Sequence, residues 1–238
     1  MAKEIIIAFD LYGTLLDTES ISKQLAEHFG QEKAQSIAAA WRRYQLEYTW
    51  RLNSMEQFDS FSNITRHSLQ HALGENNVEL KREAIEDLMA AYDSLSTFPD
   101  VLPTLTKLAS KPKIIPVVFS NGTRTMVTNS VLHSKDLSPK ANIFRKIITV
   151  DNVKKYKPAP AVYEHLAEEM DKKSRMGDMW LVSGNAFDIV GALSSGMKAI
   201  WVDRGGRGWI DTVLPESQPT AIVRSLEEIV DVIEGRAA

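Results

Sequence analysis

No cysteine occurs among the 238 residues. That absence removes disulfides, thiolate metal sites and cysteine nucleophiles together, and it points to a cytoplasmic location. Long apolar runs are missing as well. No stretch approaches the roughly 18 residues that a membrane-spanning helix requires, and the first residues lack the apolar segment of a signal peptide. Neither a membrane segment nor a cleaved leader is expected. Nor is there an excess of positive charge: 28 lysines and arginines stand against 31 aspartates and glutamates, a formal net charge of −3. Chains that bind nucleic acid or an anionic membrane surface draw their affinity from a basic patch, so no such partner is expected. A small anionic substrate fits this balance, because a few cations inside a pocket suffice for it. Internal repeats and low-complexity tracts are absent too.

With 44% apolar and 25% charged residues, the chain can bury a full core as one soluble domain, or as one domain carrying an insertion. Short apolar runs at 4–9, 114–119, 147–150, 180–182, 199–202 and, more weakly, 221–223 read as strands. Helical periodicity fills 102–110, 123–132, 159–170, 188–194 and 226–234 between them. Strands alternating with helices predict an α/β fold, a doubly wound parallel sheet with helices on both faces. Residues 18–95 contain no convincing strand and four helical pieces, 19–29, 32–52, 55–73 and 81–92, punctuated by Gly30, Asn53, Gly74, Asn76 and Asn77. The first strand cannot be stable alone and must join the sheet. The helical stretch is therefore an insertion into a core made of 1–17 and 96–238.

Ligands of open parallel sheets bind beyond the carboxyl ends of the strands, which gathers Asp10, Ser120 and the segment 183–188 around one crevice. Asp10 ends the first apolar run at a turn containing Gly13 and is a candidate nucleophile. A phosphoryl-transfer enzyme built on such an aspartate needs an acid/base and usually a metal, and Tyr12 supplies neither. Ser120 and Asn121 could seat an anion on backbone N–H groups or simply cap a helix. Lys157 could hold nearby carboxylates ionised by lowering their pKa values, or be a surface cation. Trp41 to Trp50 could be an amphipathic helix with aromatic core residues and nothing more. His67 and His71 have the spacing of two ligands on a helix face but lack a third, and Arg204 to Gly208 reads as a surface loop.

Together these segments resemble the haloacid dehalogenase superfamily, and within it the type II L-2-haloacid dehalogenases. The superfamily resemblance rests on Phe-Asp-x-Tyr-Gly-Thr-Leu at Asp10, Ser-Asn-Gly at Ser120, Lys-Pro at Lys157 and the segment ending in Asp188. Magnesium-dependent phosphatases of this architecture resemble Gly-Asp-x-x-x-Asp there, whereas this chain has Gly184 in place of the first carboxylate, leaving too few oxygen ligands for a hard cation. The subfamily resemblance rests on Tyr12, Trp-Arg-x-x-Gln-Leu-Glu-Tyr-Thr-Trp at Trp41 to Trp50, and Ser-x-Asn-x-Phe-Asp at Ser183 to Asp188.

The resemblance implies a Rossmann-like core with a helical cap at 18–95, no cofactor, no metal and a homodimer. It implies that Asp10 displaces halide from a small 2-haloacid with inversion, forming an ester that water hydrolyses to a D-2-hydroxy acid. By the same carry-over, Arg42, Asn121 and Phe187 receive the halide. Ser120, with the backbone of Leu11, Tyr12 and Asn121, seats the carboxylate, and Leu46, Phe61 and Phe187 contact the alkyl group. Lys157 keeps Asp10 anionic; Thr14, Tyr163, Ser183, Asn185 and Asp188 orient nucleophile, substrate or water, with Asp188 the preferred general base. Gly184 and Ala186 depart from Ser and Gly with little expected consequence, while Leu11 replaces a smaller residue and is expected to narrow the pocket. Two alternatives are a phosphatase acting on a small phosphorylated metabolite and a non-catalytic carboxylate-binding protein.

Overall fold

The computed structural model describes residues 4–235; residues 1–3 and 236–238 of the expected core lie outside the described residues. Strands buried on both faces need apolar side chains in unbroken runs, and such runs form β1 (Ile5–Phe9), β2 (Ile114–Ser120), β3 (Ile147–Thr149), β4 (Met179–Ser183), β5 (Lys198–Val202) and β6 (Ala221–Val223). They pair in parallel as a six-stranded sheet of order β3-β2-β1-β4-β5-β6. The order reverses direction between β1 and β4, which makes their carboxyl ends the topological switch point where such sheets bind ligands.

Between β1 and β2 the chain runs through a 3-10 turn (Thr18–Ile21) and the helices α1 (Ser22–Phe29), α2 (Gln31–Ser54), α3 (Phe61–Glu75), α4 (Arg82–Tyr92) and α5 (Val101–Ala109). On α2, Ala34, Ile37, Ala38, Trp41, Gln45 and Thr49 are buried, at the spacing of one helix face. Buried residues of α3, among them Phe61, Ile64, Thr65, Ser68 and Leu69, repeat the pattern. The expected start of α3 at 55 is six residues early. The Ser60 hydroxyl accepts a hydrogen bond from the Asn63 N–H at 3.2 Å and starts the helix there, while Glu56, with φ of 55°, ends the preceding turn.

After β2 come α6 (Arg124–Thr128), α7 (Pro160–Glu169), α8 (Ala186–Ser194) and α9 (Ile229–Ile233). A π turn (Asn129–His133) continues α6, and 3-10 turns at Ser138–Ile143 and Lys173–Asp178 lie where no element was expected. The α/β expectation, a parallel sheet wound with helices, describes the molecule. No helix among the described residues is long and apolar enough to cross a membrane.

Candidate active site

Parallel register brings the site together. Phe9 pairs with Val118 on one side and Val182 on the other, so Asp10 leaves the sheet beside Phe119 and Ser183. Its two carboxylate oxygens have different surroundings. Oδ2 accepts from Asn185 Nδ2 at 2.7 Å, Thr14 Oγ1 at 2.8 Å and Ser183 Oγ at 3.3 Å. Among the described residues, Oδ1 accepts only from Lys157 Nζ, at 3.1 Å. Thr14 is itself fixed, because its hydroxyl accepts from the Gly184 N–H at 2.9 Å.

Lys157 is 1% exposed, and its ammonium uses all three donors: on Asp10, on Asp188 Oδ2 at 2.8 Å and on the Phe119 carbonyl at 2.9 Å. Burial by itself would lower the lysine pKa, but the two carboxylates outweigh it and raise the value. Asp188 is fully buried, with Oδ1 taken by the Tyr163 hydroxyl at 2.8 Å. The expected pull of Lys157 on Asp188 is present and lowers its pKa, but it is not the larger effect. Burial, with some help from Asp10, pushes the Asp188 carboxyl up to about 6 against the pull of Lys157. Tyr163, expected to orient nucleophile, substrate or water, is 0% exposed and spends its hydroxyl on Asp188, so in this arrangement it positions that carboxyl.

Gly184 matters more than its replacement of serine suggested. A Cβ there would lie 2.4 Å from the Gly13 carbonyl oxygen, a contact no side chain tolerates. The close approach lets Asn185 Nδ2 reach both Asp10 and the Tyr12 carbonyl, the latter at 2.9 Å. Arg204 belongs to the stretch expected as a surface loop. Its guanidinium instead makes two hydrogen bonds to Asp100, at 2.9 and 3.0 Å, and donates to the Thr14 carbonyl at 2.9 Å, bracing the nucleophile turn from outside.

At the end of β2, Ser120 is fully buried and its Oγ accepts from the Gly122 N–H at 3.1 Å. The Asn121 side-chain oxygen accepts from the Lys157 N–H at 3.0 Å, tying the two loops together. Leu11 is 0% exposed and belongs to the core, while its carbonyl accepts from Thr14, Leu15 and Leu16. The Tyr12 ring stacks on Phe61 with centroids 5.7 Å apart and is buried with it. Burial raises the Tyr12 pKa far above its ordinary value, so the phenol stays neutral.

Arg42 comes from α2 and reaches across to the sheet. Its Nη2 donates to the Tyr12 carbonyl at 3.1 Å and to Asn185 Oδ1 at 3.2 Å, and its Nη1 donates to Gln45 Oε1 at 2.8 Å. Leu46 follows on the same helix, half-buried, and Phe187 packs edge-on against Trp50 at 5.4 Å. Gln45 has no role implied by the motif, and its i, i+3 spacing from Arg42 is the sequence signal that pairs the two. The histidine pair lies elsewhere: His71 stacks on Tyr44 with centroids 3.6 Å apart and bonds the Tyr48 hydroxyl. No group of three or more His, Cys, Asp or Glu suited to holding a metal occurs among the described residues.

Comparison with known proteins bears on the same segments. The family model for haloacid dehalogenase-like hydrolases matches residues 6–196. The (S)-2-haloacid dehalogenase 4A of Burkholderia cepacia is 32% identical over 83% of this chain and 82% of its own length. The (S)-2-haloacid dehalogenase H-109 of Pseudomonas putida is 33% identical over 94% of this chain and 96% of its own. The solved structure of the L-2-haloacid dehalogenase from Xanthobacter autotrophicus with chloropropionic acid covalently bound superposes with a TM-score of 0.85 at 25% identity, covering 98% of this chain and 100% of that one.

Proposed function

The chain belongs to the haloacid dehalogenase-like hydrolases, and from that premise we propose that it is an (S)-2-haloacid dehalogenase converting L-2-haloalkanoates to D-2-hydroxy acids and halide. Asp10 Oδ1, with a single ammonium donor, keeps lone pairs for attack on the carbon that bears the halogen. As the new C–O bond forms, the C–X pair leaves with the halide toward Arg42, Asn121 and Phe187. The substrate carboxylate sits on Ser120 and the backbone N–H groups of Leu11, Tyr12 and Asn121. Its alkyl group lies against Leu46, Phe61 and Phe187. Residues 18–95, which carry Arg42, act as a cap over the core of 1–17 and 96–238.

In the second half, water attacks the ester carbonyl at Asp10 and passes a proton to Asp188. Oδ2, now the carbonyl oxygen, gains negative charge in that step. The hydroxyls of Thr14 and Ser183 and the amide of Asn185 already point at it, which is the preorganised donor set such a step needs. Collapse expels the alkoxide, which takes up a proton and leaves as the hydroxy acid. Asp10 is regenerated with one oxygen derived from water.

The observation that carries this reading is the Lys157 ammonium, bonded to both site carboxylates. Asp188 gives its two oxygens to Lys157 and Tyr163, and Gly184 stands where phosphatases of this fold carry a further carboxylate, so turnover is proposed to need neither metal nor cofactor. Halide release from L-2-chloropropionate in excess EDTA tests it: sustained release is expected, and none from folded protein would remove the reading. A cytoplasmic location and a homodimer complete the proposal. Trp50 and Met55 at the end of α2, 40% and 58% exposed, offer apolar surface to a second copy, and sedimentation at a monomer's mass would exclude that part.

A further inference from the structure

We infer that Gln45 is a positioning residue that holds Arg42 in place without neutralising it, keeping a full positive charge available to the departing halide. The inference rests on the reading of Arg42 as halide acceptor. Every acceptor that fixes the Arg42 guanidinium is neutral: Gln45 Oε1, the Tyr12 carbonyl and Asn185 Oδ1. Arg43, Arg51, Arg66, Arg145 and Arg204 each pair with a carboxylate; among the described arginines without such a pair, Arg82, Arg124, Arg175, Arg207 and Arg224 are exposed to water and Arg42 is half-buried.

The orientation of Gln45 is dictated by its neighbours. A guanidinium only donates, so the atom facing Arg42 must be the amide oxygen. That oxygen also accepts from the Tyr92 hydroxyl at 3.0 Å, and burial raises the Tyr92 pKa so that its proton stays in place. Gln45 Nε2 then donates to Thr65 Oγ1 at 2.8 Å, whose own proton goes to the Phe61 carbonyl at 2.7 Å. Gln45 is 0% exposed, and its amide oxygen and nitrogen both have partners. A carboxylate of the same shape would hold Arg42 equally well and cancel its charge, whereas an amide holds it and leaves the charge free.

Gln45→Glu separates position from charge, with Gln45→Met as the reverse control that keeps the charge and gives up the hydrogen bonds. Single-turnover rates on L-2-chloro-, 2-bromo- and 2-iodopropionate are read beside chloride-NMR line broadening, which reports anion binding without catalysis. Gln45→Glu is expected to slow the chloride substrate roughly 10²-fold, the bromide less and the iodide least, as removal of charge stabilisation at a leaving atom requires. It should also abolish the chloride broadening. Gln45→Met should slow all three substrates by a similar several-fold factor and weaken the broadening without abolishing it, because the charge stays while its seat is loosened. A Gln45→Glu loss equal for all three halides with broadening intact overturns the inference, as does a Gln45→Met loss as large and as graded as that of Gln45→Glu. Should Gln45→Glu not fold, wild-type rates and broadening in folded Gln45→Met, or complete loss of the broadening, overturn the inference, and a weakened but persistent broadening supports it. Wild-type protein that broadens chloride but releases no halide would defeat the dehalogenase reading alone.

Discussion

Two cations serve one site, and the molecule treats them oppositely. Lys157, rising from the loop before α7, is fully compensated: two carboxylates and a carbonyl take its three protons, and it is 1% exposed. Arg42, reaching over from α2, meets only neutral oxygens. The difference matches the charges each has to face. Lys157 balances carboxylates that are present throughout, so its positive charge is spent in the resting protein. In the proposed reaction Arg42 answers a charge that exists only while the C–X bond breaks, so its own is left unspent until then. The sheet side of the crevice holds a cation already committed to carboxylates, and the helical side holds one that is not.

Breaking the compensated half should have the largest effect. Lys157→Met leaves Asp10 and Asp188 buried without their cation, and truncating one partner of a buried pair costs roughly 3–5 kcal/mol. Denaturant unfolding should register that loss, and halide release should fall below detection. A variant of near-wild-type stability would mean that the lysine does not hold the carboxylates together.

Breaking the uncompensated half should spare the fold and damage the chemistry. Arg42→Lys keeps a cation but loses the fork that reaches Gln45, Tyr12 and Asn185 at once. A loss of roughly 10²-fold on a chloride substrate is expected, smaller on an iodide, with unfolding shifted by less than about 1 kcal/mol because no buried charge loses a partner. A large drop in stability with equal losses for all halides would erase the contrast between the two cations.

Much of this site was legible in the sequence, and the misses have physical causes. Strands buried on both faces announce themselves as apolar runs, so β1, β2 and β5 lie within a residue of their expected bounds. Asp10, Thr14, Lys157, Ser183, Asn185 and Asp188 were singled out by motif, and they converge on one hydrogen-bonded cluster. Gln45 was hidden because a satisfied polar residue inside an amphipathic helix reads as one more position of the pattern. The start of α3 was blurred because Met55 and Phe58 continue the helical spacing past the Ser60 cap. For Asp188, a charge nearby can be read from sequence, whereas the depth of burial that overrides it cannot.

The smallest expected effect sharpens the comparison through pH. Asp188 ionises near 6 rather than its ordinary 3.8, so below about pH 6 it increasingly holds its proton and cannot accept one from water. The kcat should fall on an acid limb near 6, with the aspartyl ester accumulating because its hydrolysis slows. The linked stability runs the other way. The folded state binds this proton more tightly than the unfolded chain does, so the contribution of Asp188 declines as pH rises from 3.8 to about 6. An acid limb without ester would assign the base to another group.

The central claim is that Asp10 forms the covalent bond, and one measurement addresses it directly. With enzyme in excess over L-2-chloropropionate in ¹⁸O water, the first turnover should leave one ¹⁸O atom in the peptide containing Asp10 and none in the hydroxy acid. Product carrying ¹⁸O, with Asp10 unlabelled, would contradict the account, because water would then have displaced the halide itself.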